Sequence, residues 1–221
     1  MILDQSENNK RIAKNTLLLY FRMFFTMAVT LYTSRVILKA LGVEDFGIYN
    51  VVAGIVTLFS FFSGALSSAA SRFISFELGS NNTSYLSKVF SAIFIIHLLF
   101  SVVVVCFAET IGLWVVNCKL TIPPERIFAA HVVYQFSVFS CIVGIMQIPL
   151  NAMIIAHERL GIYAYMSICE VIGKLSIAFV VTYCSFDHLI VYGMLLFSLV
   201  VILFVISVSY THLRAHETEL H

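Results

Sequence analysis

Charge is what this sequence has least of: 11% of its 221 residues are Asp, Glu, Lys or Arg, against about 25% in a soluble globular domain. The 13 basic and 12 acidic residues leave a net charge of +1, so no cationic field exists to meet a phosphate backbone and nucleic acid is excluded as a partner. Proline is scarce at three residues and tryptophan is single. The five cysteines (Cys106, Cys118, Cys141, Cys169, Cys184) form no C-x-x-C pair and are odd in number. That argues against a disulfide framework or a zinc site and for buried free thiols. The sequence also has no Gly-rich phosphate loop, no G-x-S-x-G and no H-E-x-x-H, so nothing points to an enzyme or to a cofactor.

What fills the space is apolar: 60% of the residues are hydrophobic and the mean hydropathy is +0.97. Six stretches approach or exceed the ~20 apolar residues that a bilayer crossing needs: residues 16–38, 47–71, 89–116, 127–155, 163–183 and 189–208. They are too long and too little alternating for barrel strands. The expected fold is an all-α membrane protein whose partner is the lipid bilayer. A polar tail, residues 1–15, precedes the bundle and holds Lys10, Arg11 and Lys14. No signal cleavage site follows the first apolar stretch, which is too long for a signal peptide. Basic residues divide six to four in favour of a cytoplasmic N-terminus (Lys10, Arg11, Lys14, Arg72, Lys88 and Arg159 against Arg35, Lys39, Lys119 and Arg126). No segment outside the spans is long enough for a catalytic domain, so function must sit within or between helices.

Polar residues inside the spans are therefore the informative ones. Arg22, Thr26, Thr30 and Thr33 recur at helical steps on one face of the first span. Asn50, Gly54, Thr57, Gly64, Ser68 and Ser71 do so in the second, and Ser137, Cys141, Gly144, Gln147 and Asn151 in the fourth. Such stripes serve either close helix packing or a polar cavity. In the fifth span Glu170 and Lys174 stand one turn apart, with Tyr163 and Ser167 continuing their face. A lone charge at a span centre costs about 2.5–3.5 kcal/mol on insertion scales. An i,i+4 acid–base pair relieves part of this but still calls for a bundle interior or a wet cavity. Parallel first and fifth helices would set Arg22 near Glu170 and Lys174, as a structural ion cluster or as a substrate or proton-coupling site. His97 and His131 lack partners at metal-ligand spacing and read as core residues. Glu109 and Trp114 suit an interface, and Pro149 is expected to kink the fourth span.

Several strings carry a resemblance. Arg11-Ile-Ala-Lys-Asn-Thr16, Leu31-Tyr-Thr-Ser-Arg-Val36, the turn Leu41-Gly-Val-Glu-Asp-Phe-Gly-Ile-Tyr-Asn-Val-Val52, Ala69-Ala-Ser-Arg-Phe73 and Asn151-Ala-Met-Ile-Ile-Ala156 together resemble the polysaccharide (Wzx-like, O-antigen) flippases. These belong to the superfamily that also holds the MATE-like drug exporters. The resemblance covers about residues 10–207. It implies that the six spans, residues 16–208, form the N-terminal lobe of a 12–14-helix transporter in a bacterial inner membrane, with a C-terminal lobe as the missing partner. The implied activity is alternating access that flips an undecaprenyl-diphosphate-linked oligosaccharide during cell-surface polysaccharide synthesis. A single lobe is expected to be inactive unless a second copy completes it.

The same resemblance makes Arg22 the leading cavity cation, with Thr26, Thr30, Asn50, Gln147, Asn151, Glu170 and Lys174 as cavity candidates. Arg35 and Arg72, at helix ends, are weaker ones. Ion-coupled export of small molecules or drugs stays open beside flipping, as does a non-transporting scaffold for polysaccharide enzymes. Residues 209–221 depart from the family: Ser209-Tyr-Thr-His-Leu-Arg-Ala-His-Glu-Thr218 and the three residues after it resemble a translated sequencing adapter. They are expected to be foreign to the gene rather than to use His212 and His216 as metal ligands.

Overall fold

A computed structural model describes residues 2–79, 83–157 and 160–218. Among these there is no strand, and the chain is a bundle of seven α-helices: α1 (Ile2–Thr57), α2 (Ser60–Gly79), α3 (Thr83–Phe107), α4 (Leu113–Cys118), α5 (Ile127–Ala156), α6 (Leu160–Thr182) and α7 (His188–Thr218). A π-helical turn, Ala108–Gly112, joins α3 to α4, and a 3-10 turn, Pro124–Arg126, opens α5. The protein is thus an all-α chain with five stretches long and apolar enough to cross a membrane: Thr16–Thr57, Tyr85–Cys118, Pro124–Ala156, Leu160–Thr182 and Leu189's helix from His188 to Thr211. Large side chains such as Leu17, Phe21, Phe24, Leu31, Phe61 and Phe76 point outward, as a lipid-facing surface requires.

The first stretch differs from the expected pair of spans. Residues 16–38 lie in the first limb of α1, and the limb ends at Gly42, whose φ of 77° and ψ of 171° break the helix. Only glycine enters that region without strain, so the kink falls in the turn expected between the first two spans. The second expected span, 47–71, is not continuous. It breaks at Leu58 and Phe59, where the Thr57 hydroxyl donates to the Gly54 carbonyl at 2.8 Å. A side chain that takes a carbonyl of the helical ladder weakens the next turn. Pro149, by contrast, lies buried inside α5 without ending it. The other expected spans match α3 with its π turn and α4, then α5, α6 and α7, to within a few residues at most ends. The last helix runs on to Thr218, so it takes in most of 209–221; the side chains of His212 and His216 lie outside the described residues.

Packing is uneven along the bundle axis. The main core gathers Ile37, Val52, Val133, Tyr134, Val181 and Leu189, at the end where the Gly42 kink, the start of α5 and the α6–α7 link meet. A smaller cluster of Ala70, Ile74, Ile93 and Ala152 joins α2, α3 and α5 toward the other end. Glycine sets two close approaches in the main core. A side-chain carbon at Gly112 would collide with the Tyr134 hydroxyl, which donates to the Ala108 carbonyl at 2.7 Å within the π turn. One at Gly193 would press on Val133 at 3.1 Å. The cysteines are free, as expected, but not buried: Cys106, Cys118 and Cys169 are exposed and Cys141 and Cys184 partly so. An apolar span carries thiols on its lipid face as readily as on its inner one.

Candidate functional site

The first segment of α1, the last part of α5 and the first half of α6 bring polar side chains together in the less densely packed half of the bundle. Gln147 and Asn151 from α5, Tyr163, Met166, Ser167 and Glu170 from α6, and Leu203 from α7 line a half-open cleft of about 120 Å³. The α6 residues reach it because Tyr163, Ser167 and Glu170 repeat at steps of four and three on one helical face. The four-residue spacing of Gln147 and Asn151 does the same for α5.

Arg22 reaches α6 beside this cleft. Its guanidinium donates through Nη1 to the Ser167 hydroxyl at 3.1 Å and stacks over the Tyr163 ring, 4.7 Å from the centroid. Stacking of this kind stabilises a cation by about 0.5–2 kcal/mol, more as water is removed. Its Nε is buried with no hydrogen-bond partner, so the two residues fix the arginine without satisfying it. One turn further along α6, the Lys174 ammonium donates to Glu170 at 2.6 Å. Both side chains of that pair keep about two-fifths of their surface open, 42% and 41%.

The expected Arg22–Glu170–Lys174 cluster therefore forms in two parts. Arg22 sits on the Tyr163–Ser167 segment, Glu170 pairs with Lys174, and among the described residues no ion pair joins Arg22 to Glu170. Thr26 is half-buried but turns its hydroxyl back to the Met23 carbonyl. Thr30 is exposed. Asn50 is also exposed, donates to the Phe46 carbonyl at 2.7 Å, and stands apart from the cleft lining. Arg35 and Arg72 are exposed. His97 is buried in the core, with Nδ1 2.8 Å from the Ile93 carbonyl. Glu109 is half-buried in the π turn and accepts from Gln135 at 3.2 Å. Trp114 is exposed with the Lys119 ammonium 5.1 Å above its ring.

A second polar centre, at the opposite end, was not anticipated. Arg126 donates through Nε to Asp45 at 2.7 Å and through Nη1 to Asp187 at 2.6 Å, and its Nη2 also pairs with the Asp45 carboxylate. Asp187 in turn accepts from the backbone N–H groups of Leu189 at 3.0 Å and Ile190 at 3.2 Å, which caps α7. Burial would raise the Asp187 carboxyl, but the Ile190 N–H, Arg126 and the Leu189 N–H outweigh it and hold the group below its ordinary range. One of its signals is readable in the sequence: an Asp just before an apolar run is a helix-cap pattern.

No protein-family model matches this chain, and no curated protein or solved structure is similar to it.

Proposed function

We propose that the chain is one six-span lobe of a membrane flippase that carries a polyprenyl-diphosphate-linked oligosaccharide across the bacterial inner membrane, and that it works facing a second lobe. The spans are α1 divided at Gly42, with its second limb and α2 together making one crossing, then α3 to α4, α5, α6 and α7. The observation that carries the reading is the polar cleft within helices of bilayer length, with a partly unsatisfied arginine at its edge; a flippase lobe would open it toward one side of the membrane. Amides and hydroxyls from Gln147, Asn151, Tyr163 and Ser167 suit sugar hydroxyls. The Arg22 fork, prepositioned by Tyr163 and Ser167, suits a diphosphate oxygen. Basic residues of the N-terminal tail support a cytoplasmic position for it in this reading.

The test is binding by the chain in lipid nanodiscs. Undecaprenyl diphosphate is expected to bind at least about tenfold more tightly than undecaprenol, a difference of about 1.4 kcal/mol, and Arg22→Gln is expected to remove that preference. Equal affinity for the two lipids overturns the reading.

A second reading has its own observation: Glu170 lines the cleft itself, whereas Arg22 stands at its edge. Ion-coupled export of a small organic cation would use Glu170 as the coupling acid. It predicts ethidium binding that Glu170→Gln abolishes and Arg22→Gln leaves unchanged.

A further inference from the structure

At the cleft two opposite charges are held on successive turns of one helix face without meeting. Arg22 is drawn to the start of α6, where it donates to Ser167 at 3.1 Å and lies over the Tyr163 ring. Glu170 stands three residues after Ser167 and is its neighbour on the helix surface. It is drawn the other way, to Lys174 at 2.6 Å. Guanidinium and carboxylate are thus about one turn apart, on the order of 5–6 Å. Neither is used up. Ser167 takes one of the five guanidinium N–H groups, and among the described residues Lys174 occupies Oε1 of Glu170 while nothing donates to Oε2.

Size and charge then sort ligands. A cleft of about 120 Å³ is well below the ~300–1,000 Å³ that enclose a drug-sized molecule, so it takes one end of a ligand. Met166, its sulfur 3.6 Å from the Ser207 hydroxyl, and Leu203 make the apolar part of the lining, and the Gln147 and Asn151 amides both donate and accept. Arg22 and Lys174 are two cations against the Glu170 anion. A bare organic cation therefore meets net repulsion, and a bare diphosphate meets the carboxylate. A lipid-linked diphosphate carries two negative charges, and an amine on its first sugar reduces the head to one. That single negative charge balances the three side chains.

We infer that the cleft selects a zwitterionic head group, with a phosphate oxygen held by Arg22 and, a few bonds away, a protonated amine held by Glu170. The inference rests on the lipid-diphosphate reading above and names the sugar class within it: an amino sugar next to the diphosphate whose amine is free. Acetylating that amine removes its charge and with it the ion pair to Glu170. Lys174 competes with the amine for the same carboxylate and so limits the preference. A phosphoethanolamine head group on a phospholipid offers the same pair of charges, and the ligands below separate the two sources.

Binding is measured with the full chain in dodecyl maltoside micelles, whose neutral head groups do not compete. The ligands are undecaprenyl diphosphate bearing glucosamine, the same lipid bearing N-acetylglucosamine, phosphatidylethanolamine and its N-acetylated form. The glucosamine lipid is expected to bind about fivefold more tightly than its acetylated twin, the scale of a partly exposed ion pair. Glu170→Gln should bring that ratio to about one, and Lys174→Gln, which frees the carboxylate, should raise it. A merely structural role for Glu170 moves the ratio in neither variant, and helical circular dichroism confirms that each is folded. Equal affinity for the two glycolipids overturns the inference, as does an unchanged ratio in folded Glu170→Gln. A preference confined to the two phospholipids overturns the amino-sugar assignment and gives the site to a phospholipid head group. The diphosphate reading fails separately, by equal affinity for undecaprenyl diphosphate and undecaprenol.

Discussion

The two ends of the bundle solve the same problem in opposite ways. At the end clasped by Arg126 the half-buried and buried polar groups at its centre are paired: Arg126 meets two carboxylates, Asp187 caps α7, and the Tyr134 hydroxyl meets a carbonyl of the π turn. Apolar side chains from α1, α5, α6 and α7 fill the space between them. At the cleft end α5 and α6 turn amides, hydroxyls and a carboxylate toward an open space, and Arg22 keeps an unpartnered Nε. A bilayer tolerates polar groups only when they are paired or wet. The first end is paired and the second must be wet. The difference teaches which end is built by packing and pairing and which leaves polar groups unfilled.

Removing the guanidinium should separate the ends most sharply. Arg126→Ala leaves Asp45 and Asp187 facing each other without a counter-charge. Breaking a buried ion pair costs about 3–5 kcal/mol, and the 24% exposure of Arg126 places the loss near the low end. The measurement is unfolding in mixed micelles.

Gly112→Ala comes next, with an expected loss of about 1–3 kcal/mol, because the added carbon displaces Tyr134 from the π turn. Gly144→Ala is its control in α5. A carbon there meets nothing within 4 Å, so helix propensity should stabilise it by up to ~1 kcal/mol. Equal effects at the two glycines would contradict the packing described.

Acid gives a smaller change. The Asp187 carboxyl is held below its ordinary value of 3.8, so it contributes stability above that pH. The contribution is lost as pH falls further through the native value. Unfolding followed from about pH 5 to about pH 2 should show a slope that Asp187→Asn flattens.

The smallest effect is expected in the cleft. Glu170 and Lys174 are each about two-fifths exposed, and an i,i+4 pair of this kind couples by only about 0.3–0.5 kcal/mol. A double-mutant cycle with Glu170→Gln and Lys174→Gln should return a coupling of that size. A much larger value would mean that this end is built for stability, like the other.

Much of this was legible in the sequence. Hydropathy finds α3, α5, α6 and α7 because each is a long apolar run bounded by turn residues. The face shared by Tyr163, Ser167, Glu170 and Lys174 follows from helical spacing alone. Depth in parallel helices is enough to bring Arg22 to the same helix. It was not enough to choose its partner, because one turn separates Ser167 from Glu170 and side-chain reach decides between them. The break at Leu58 was hidden, since two apolar residues, Leu58 and Phe59, carry it. Thr30 shares a stripe with Arg22 but is exposed, and so is Asn50 in the stripe of the second span, as a one-dimensional pattern does not say which helix face is covered. The clasp was illegible as a whole: Arg126 lies 81 residues from Asp45 and 61 from Asp187, and only folding makes them neighbours.

The central claim, a wet polar cleft open at one end and shut at the other, is tested most directly by thiol labelling in membranes. In a chain without native cysteines, Ser167→Cys is compared with Ala130→Cys, a fully buried position of the clasped half. Ser167→Cys should react with a membrane-impermeant maleimide added on one side of the membrane and not on the other, while Ala130→Cys stays unreactive from both. Equal reaction of Ser167→Cys from both sides, or none from either, would contradict the account.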